Sequence, residues 1–265
     1  ELARHDGWHG TGAYFDKVTM IVLNDPNARQ TALVTGDVDC VSLIELKTLA
    51  LLQRNPDISV DNIPSGGAIT MPMFCDTAPF SDVRVRTALK LAMDRDEIIE
   101  KIAFGAATKG NDFHLSPVQP YWPSDIPQRE YDPEQAKSVR EASDGYYSDV
   151  WLKKPFSAVS WGARPTPDVM FTLAYKDDAA WNESRWQNER FNELLLQAKS
   201  ELDQTLRAEM YREMCLLMRD DGGTLLPFFN NWVYARGKGV KRPEQVAASW
   251  GCDGARAASR WWFEA

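Results

Sequence analysis

The residues best suited to chemistry lie in a loop around Arg164. The loop follows an apolar segment that ends at Trp161, and Asp168 comes four residues after the arginine. A guanidinium is a rigid fork of donors that fits a carboxylate or a phosphate, and neighbouring prolines reduce the entropy lost when a loop closes over a ligand. Two interpretations stay open: Arg164 binds an anionic group of a ligand, or it pairs with Asp168 and only holds the loop.

The sequence carries few other signs of chemistry. His5 and His9 lie four residues apart around Gly7, and His114 lies alone in a proline-rich region. A zinc site needs three or four converging ligands, so we expect no metal. No GxSxG, GxxxxGK or GxGxxG pattern occurs, and we expect no cofactor. A hydrolase of small amides or esters, using His114 with an acidic partner, is kept as the alternative function, although no nucleophile stands out.

The overall composition argues against two kinds of partner. The formal net charge is -8 and no long basic run occurs, which is unlike a protein that binds nucleic acid. The most apolar stretch, residues 224–235, contains Pro227, Asn230 and Asn231 and is shorter than the roughly 20 residues that span a bilayer. The first six residues lack the pattern of a signal peptide. The sequence therefore predicts neither a nucleic-acid partner nor a transmembrane segment.

The cysteines carry no recognisable spacing. Cys40, Cys75, Cys215 and Cys252 lie far apart and form no CxxC pair, which predicts neither a zinc ribbon nor a thioredoxin-like site. Cys215 falls on the apolar side of a predicted helix, where a free cysteine packs as a small hydrophobic residue. We expect mostly isolated, partly buried thiols.

Alternating strand and helix patterns fill the first 60 residues. Strands are predicted at residues 18–23 and 38–43, and helices at residues 28–34 and 46–52. This order predicts an α/β lobe with a partly parallel sheet, because parallel neighbours need a crossover element between them. The Pro-Ser-Gly-Gly sequence at residues 64–67 is predicted to break the chain before the next strand.

The rest of the sequence continues this alternation. Asp82 and Asp94 are predicted helix N-caps, and the proline-rich region 110–133 is predicted to be an ordered loop. A buried strand ends at Trp161, two long helices follow, and a long strand covers residues 224–235. The residues predicted to line the apolar faces of the two long helices are Phe191, Leu194, Leu195, Ala198, Leu206, Met210, Met214, Leu217 and Met218.

One stretch of sequence is specific enough to indicate a family. PFSDVRVRTAL at residues 79–89 and AMDRDEII at residues 92–99 closely resemble the family 5 extracellular solute-binding proteins, the dipeptide, oligopeptide and nickel binders of ABC importers. LVTGDVD at residues 33–39 and YDPEQAK at residues 131–137 resemble the same family. The similarity covers most of the chain, from about Tyr14 to Phe263.

The resemblance implies a fold and a division of the chain. It implies an α/β fold like that of the type II periplasmic binding proteins, in which two lobes joined by two crossing strands enclose a ligand by hinge closure. A discontinuous first lobe would comprise residues 1–70 and 228–265, and the second lobe residues 71–227. The crossing strands would lie at residues 69–76 and 225–231.

The sequence departs from the family at three places. The family has a long region before the strand at Val18, including the N-terminal part of the first lobe. It also continues with a helix, a strand and another helix where this chain has residues 137–140, so we interpret the chain as truncated or partial. Peptide binders of the family generally have an aspartate shortly after the tryptophan of the loop, which holds the free amine of the ligand. Arg164 occupies about that place, which favours an anionic, sugar-phosphate or opine-like ligand. The alternative that Asp168 holds an amine of the ligand stays open.

The resemblance implies a function in solute capture. We expect the substrate-binding component of an ABC importer, periplasmic or otherwise extracytoplasmic, which binds a small polar solute that is peptide-like, opine-like or anionic. Its partners would be that small-molecule or short-peptide ligand and the membrane permease subunits, and the protein would be a monomer without catalytic activity. A receptor-like or chaperone role that signals to a membrane partner stays open. The predicted ligand-binding residues are Trp161, Arg164, Asp168, His114, Trp122, Phe74, Asn230 and Asn231.

Overall fold

The computed structural model describes residues 1–10, 12–140 and 158–264, with only the backbone for residues 138–140. Its elements, in chain order, are β1 (Leu2–Ala3), β2 (Lys17–Val18), α1 (Pro26–Thr35), β3 (Cys40–Val41), a 3-10 helix (Leu46–Thr48), α2 (Leu49–Gln53), β4 (Ile58–Pro72), α3 (Val83–Leu91), α4 (Arg95–Lys101), β5 (Ala107–Lys109), α5 (Pro133–Arg140), β6 (Val159–Trp161), α6 (Pro167–Ala174), α7 (Glu189–Ser200), α8 (Gln204–Asp220), β7 (Thr224–Gly237), β8 (Val240–Lys241), a left-handed turn (Gly251–Ala255), α9 (Ala257–Arg260) and β9 (Trp262–Phe263). A short helix predicted over residues 146–152 lies outside the described residues.

The chain divides into two compact units. The first is formed by Glu1–Ser65, Ala103–Ala106 and Asn231–Ala265, and the second by Gly66–Ile102 and Ala107–Asn230. Strands β4 and β7 each contribute residues to both units. None of the described helices combines the length and the hydropathy that a membrane span requires.

Three strand pairs in the first unit are antiparallel. β1 pairs with β2, β8 pairs with β9, and β3 pairs with β7, where Cys40 lies opposite Arg236. The prediction of parallel neighbours on either side of helix α1 is therefore wrong for β2 and β3. The physical reason is that each short strand finds its partner elsewhere in the chain, so α1 is not a crossover between adjacent strands.

Helix α1 itself follows its local signals. The Asp25 carboxylate accepts a hydrogen bond of 2.7 Å from the Ala28 N–H, and Gly36 ends the helix with a φ of 80°. The apolar residues of α1, α2, β3 and β7 share one core in this unit. Its buried members are Leu33, Val41, Ile44, Leu49, Leu52, Ala106, Val233 and Ala235.

The second unit begins inside strand β4. The predicted break at residues 64–67 is wrong, because these residues lie within β4. Gly66 is buried, and a Cβ atom there would lie 3.2 Å from the Gln119 side-chain amide. The glycine therefore allows a close approach of a neighbouring side chain rather than a turn. In this unit β6 runs antiparallel to β4, with Trp161 opposite Ala68.

Helices supply most of the core of the second unit. The predicted N-caps are confirmed: the Asp82 carboxylate accepts from the Arg84 N–H at 2.8 Å, and that of Asp94 accepts from the Glu97 N–H at 2.9 Å. Leu206 departs from the predicted buried face, because its side chain is exposed. The fully buried residues of α7 and α8 are Phe191, Leu194, Leu195, Ala198, Tyr211, Met214, Cys215 and Met218. The methionines and Cys215 act as packing residues, as predicted.

A substitution at Gly223 tests the packing where α8 meets β7. A Cβ atom at Gly223 would lie 2.5 Å from the Cys75 Sγ and 2.6 Å from the Met73 carbonyl oxygen. We expect Gly223→Ala to lower the free energy of unfolding by about 1–3 kcal/mol, because overpacking forces these neighbours to move. The control is Gly239→Ala, whose Cβ meets nothing within 4 Å. Equal urea midpoints for the two variants would contradict this packing.

Candidate functional site

The candidate site is built on the end of strand β6 in the second unit. Trp161 is the last residue of β6, and the loop that follows leads into helix α6 with Pro167 at its first turn. The fixed φ of proline suits that helix position and ends the loop sharply. The site is thus carried by a strand end and a short stiff loop, as predicted.

Trp161 is the centre of an aromatic cluster. Its ring is 9% exposed and meets the rings of His114 and Trp181 edge-on, with both centroids 6.1 Å away. Its Nε1–H donates to the Glu183 carboxylate at 3.2 Å. Trp181 is 54% exposed, so the cluster presents an accessible indole beside a buried one.

Arg164 lies beside this cluster. Its Nη1 donates to the carbonyl oxygens of Gly162 and Ala163 at 2.9 and 3.2 Å, and its Cζ lies 5.9 Å from the Trp161 ring centroid. Within the described parts of the chain, no carboxylate forms an ion pair with it. The interpretation that Arg164 pairs with Asp168 to hold the loop is therefore wrong.

Gln119 holds the loop instead. Its side-chain Nε2 donates to the Arg164 carbonyl oxygen at 3.2 Å, while its Oε1 accepts from the Ser116 N–H at 2.9 Å. One amide thus ties the backbone of the arginine loop to the proline-rich region. The guanidinium of Arg164 takes no part in this connection.

His114 is buried beneath the cluster. Its ring is 1% exposed, and Nδ1 lies 3.1 Å from the Tyr175 hydroxyl oxygen. Burial, assisted by the positive charge of Arg164, lowers the pKa of His114 to about 3, so the imidazole is neutral at pH 7. The hydrolase alternative required an acidic partner for His114, and the described contacts give it a tyrosine, so nothing supports that alternative.

Three other predicted site residues, Phe74, Trp122 and Asp168, lie elsewhere in the second unit. Phe74 packs under the Arg185 guanidinium, 4.0 Å from the ring centroid. Trp122 is 37% exposed in the proline-rich region, and Asp168 lies in the first turn of α6. No polar or ring contact among residues 66–140 and 158–230 joins any of these three to Trp161.

The two predicted asparagines fall on either side of the division between the units. Asn230, in the second unit, lies opposite Ala107 in the pairing of β5 and β7. Asn231 belongs to the first unit, where its Nδ2 donates to the Asn62 Oδ1 at 2.8 Å. Their role in ligand binding stays a prediction.

Sequence reasoning missed four residues of the cluster. Gln119, Tyr175, Trp181 and Glu183 are up to 42 residues from Trp161 in sequence and belong to no spacing pattern with it. The sequence signal that could have indicated this cluster was Trp181, a tryptophan within a polar segment. Among the described residues, no group of three or more histidine, cysteine, aspartate or glutamate side chains could hold a metal ion.

Comparison with known proteins gives a family match over most of the chain. Residues 1–181 match the model described as "Bacterial extracellular solute-binding proteins, family 5 Middle". Heme-binding protein A of Haemophilus influenzae is 27% identical over 179 residues, which cover 66% of this chain and 32% of that protein. The dipeptide-binding protein of Escherichia coli is 20% identical over 274 residues, covering 83% of this chain and 51% of that protein. The chain therefore spans about a third to a half of these relatives.

The fold also matches solved structures of this kind. NikA of Brucella suis, solved in complex with Fe(III)-EDTA, superposes with a TM-score of 0.80 at 14% identity. The superposition covers 97% of this chain and 64% of that one. The predicted fold class, an α/β fold like that of the periplasmic binding proteins, is confirmed.

Proposed function

The chain belongs to family 5 of the bacterial extracellular solute-binding proteins, and from this premise we propose that it is the solute-binding component of an ABC importer. The family match over residues 1–181 is the observation that carries the proposal. In this role the protein acts outside the cytoplasm as a monomer, binds a solute without changing it and delivers it to membrane permease subunits. The assignment of residues 1–70 with 228–265, and of residues 71–227, to two ligand-binding lobes is part of the proposal.

The ligand class is proposed from Arg164. The named ligands of the relatives range from heme to dipeptides and Fe(III)-EDTA, so family membership alone does not fix the ligand. Arg164 has no described carboxylate partner and lies 5.9 Å from the Trp161 ring, so its charge is available to an anion. Trp181 offers an exposed aromatic face in the same cluster. This combination favours a small anionic solute with a carboxylate or phosphate, such as an opine-like molecule.

Substitution of Arg164 tests the ligand class. We expect Arg164→Ala to weaken the binding of an anionic solute by about 10- to 100-fold, because a hydrogen bond to a charged group contributes about 1.5–3 kcal/mol. Candidates come from a thermal-shift screen of opines, sugar phosphates and dipeptides, and the dissociation constant of each hit is then measured by calorimetry.

The matched control is Arg190→Ala. Arg190 is an exposed cation of the same unit that pairs with Glu213 of helix α8 at 2.7 Å. This variant should bind as the wild type does. If Arg164→Ala bound every hit as tightly as the wild type does, the proposed anion contact would be wrong. The proposed role in transport would not be affected.

A further inference from the structure

Two cysteines that lie far apart in the sequence meet in the first unit. Cys40 is on β3 and Cys252 is in the left-handed turn, and their Sγ atoms are 3.9 Å apart. Both side chains are partly buried. The expectation of isolated thiols is therefore wrong for this pair, because sequence distance did not reveal that β3 and the turn belong to one core.

The surrounding contacts hold the backbone segments that carry the two cysteines. Cys40 is held by its strand pairing with Arg236. Cys252 is held by the next residue, the fully buried Asp253, whose Oδ1 accepts from the Ala247 N–H at 2.8 Å and from Arg260 Nη1 at 2.6 Å. Both cysteines pack against one apolar cluster, whose buried members are Tyr234, Val240 and Trp261.

The left-handed turn is what directs Cys252 towards the strand. Cys252 has a φ of 50° and Asp253 a φ of 61°, a region that residues with a side chain seldom adopt. The ion pair of Asp253 with Arg260 stabilises this backbone. The close sulfur pair thus follows from a specific, reinforced backbone conformation rather than from a chance approach of two mobile side chains.

We propose that Cys40 and Cys252 are a disulfide-forming pair that a thiol oxidant closes in the folded protein. The sulfur atoms must approach by about 2 Å to reach the bond length of a disulfide, a movement that rotation of the two side chains can supply. The bond would close a loop between residues 212 positions apart and join the C-terminal segment to β3. No part of this proposal depends on the proposed function in transport.

The electrostatics of the pair indicate which sulfur reacts first. The hydrogen bond from Cys40 lowers the pKa of Cys252, whereas the same hydrogen bond, followed by burial, raises the pKa of Cys40. The Cys252 thiolate would attack glutathione disulfide and release one glutathione thiolate, giving a mixed disulfide. Cys40 would then lose its proton to solvent and attack the Cys252 sulfur, releasing the second glutathione thiolate. Two protein thiols are oxidised and one glutathione disulfide is reduced to two thiols.

Each cysteine lies in its own tryptic peptide, which allows a direct test. Cys40 lies in residues 30–47, Cys75 in 55–84, Cys215 in 213–219 and Cys252 in 242–256. The folded protein is incubated with glutathione disulfide, its remaining thiols are blocked with N-ethylmaleimide, and the digest is analysed by mass spectrometry without reduction. We expect one linked species that joins residues 30–47 to residues 242–256 and disappears on reduction.

Variants and heat stability complete the test. Cys40→Ser and Cys252→Ser should each abolish the linked species, and Cys75→Ser should keep it. The oxidised wild type should melt at least about 5 °C higher than the reduced wild type, because the cross-link restricts the unfolded chain. The proposal would be overturned if N-ethylmaleimide still blocked Cys40 and Cys252 completely after incubation with glutathione disulfide. Linkage of either residue to a different cysteine would overturn it as well.

Discussion

Replacement of Asp112 by asparagine is expected to lower the free energy of unfolding by about 3–5 kcal/mol, because it leaves the buried Arg95 without its counter-ion. The Asp112 carboxylate is fully buried and accepts from Arg95 Nη2 at 2.7 and 2.8 Å and from Arg129 Nε at 3.1 Å. It also accepts from the Leu226 N–H at 3.0 Å, which ties the pair to strand β7. The Arg95 side chain is only 2% exposed, so water cannot replace the lost charge.

The measurement is hydrogen exchange of helix α8, which lies in the same unit. Arg129 donates to the Arg219 carbonyl oxygen near the end of this helix, so the helix reports on the network. The control is Asp125→Asn, which removes an exposed carboxylate paired with Arg212 and should cost less than about 1 kcal/mol. Similar exchange rates in the two variants would show that the buried network contributes no more than a surface ion pair.

Acidification is expected to destabilise the protein through His114. The folded state lowers the pKa of this imidazole from 6.5 to about 3, chiefly through burial. Below pH 6.5 the unfolded chain binds a proton that the folded chain excludes, so the stability contributed by neutral His114 is lost as the pH falls towards 3. At about 1.4 kcal/mol per pH unit, the loss between pH 7 and pH 4 is roughly 3 kcal/mol.

Comparison with a variant isolates this effect. Urea unfolding of wild type and His114→Gln at pH 7 and pH 4 should show that the stability advantage of the wild type shrinks by roughly that 3 kcal/mol. His9→Gln, at an exposed histidine, should follow the pH dependence of the wild type. An equal loss of stability in wild type and His114→Gln would mean that the imidazole is not kept neutral by its surroundings.

Local signals in the sequence predicted local structure well. The caps at Asp82 and Asp94 depend on residues two or three positions away, and both hydrogen bonds form as expected. The same family-like stretch contains Arg86 and Arg95, which the structure buries in ion pairs with Asp221 and Asp112. Much of the signature that indicated the family is therefore structural, which explains why it identifies the fold and not the ligand.

Contacts over long sequence distances could not be predicted. The pairing of β3 with β7 and the approach of Cys40 to Cys252 join residues about 200 positions apart, and no spacing rule covers such distances. The glycines at residues 66–67 misled the prediction for a different reason. Glycine serves both turns and close packing inside a strand, and only the neighbouring side chain decides between them.

The candidate site was only partly predictable. The strand end, the stiff loop and the role of Arg164 were predicted from the residue types around Arg164. Among the described residues Arg164 has no carboxylate partner, and this could not be predicted because Asp168, four residues away, lies in helix α6 without an ion pair to the guanidinium. Glu183 and Tyr175, which position Trp161 and His114, come from segments that fold back from further along the chain.

Native mass spectrometry of the purified protein distinguishes solute binding from catalysis. A solute-binding protein should carry or take up one small molecule per chain, and denaturation should release that molecule with unchanged mass. We expect a single anionic species that the wild type retains and Arg164→Ala loses. Conversion of the bound molecule into a product during incubation would contradict a role limited to binding.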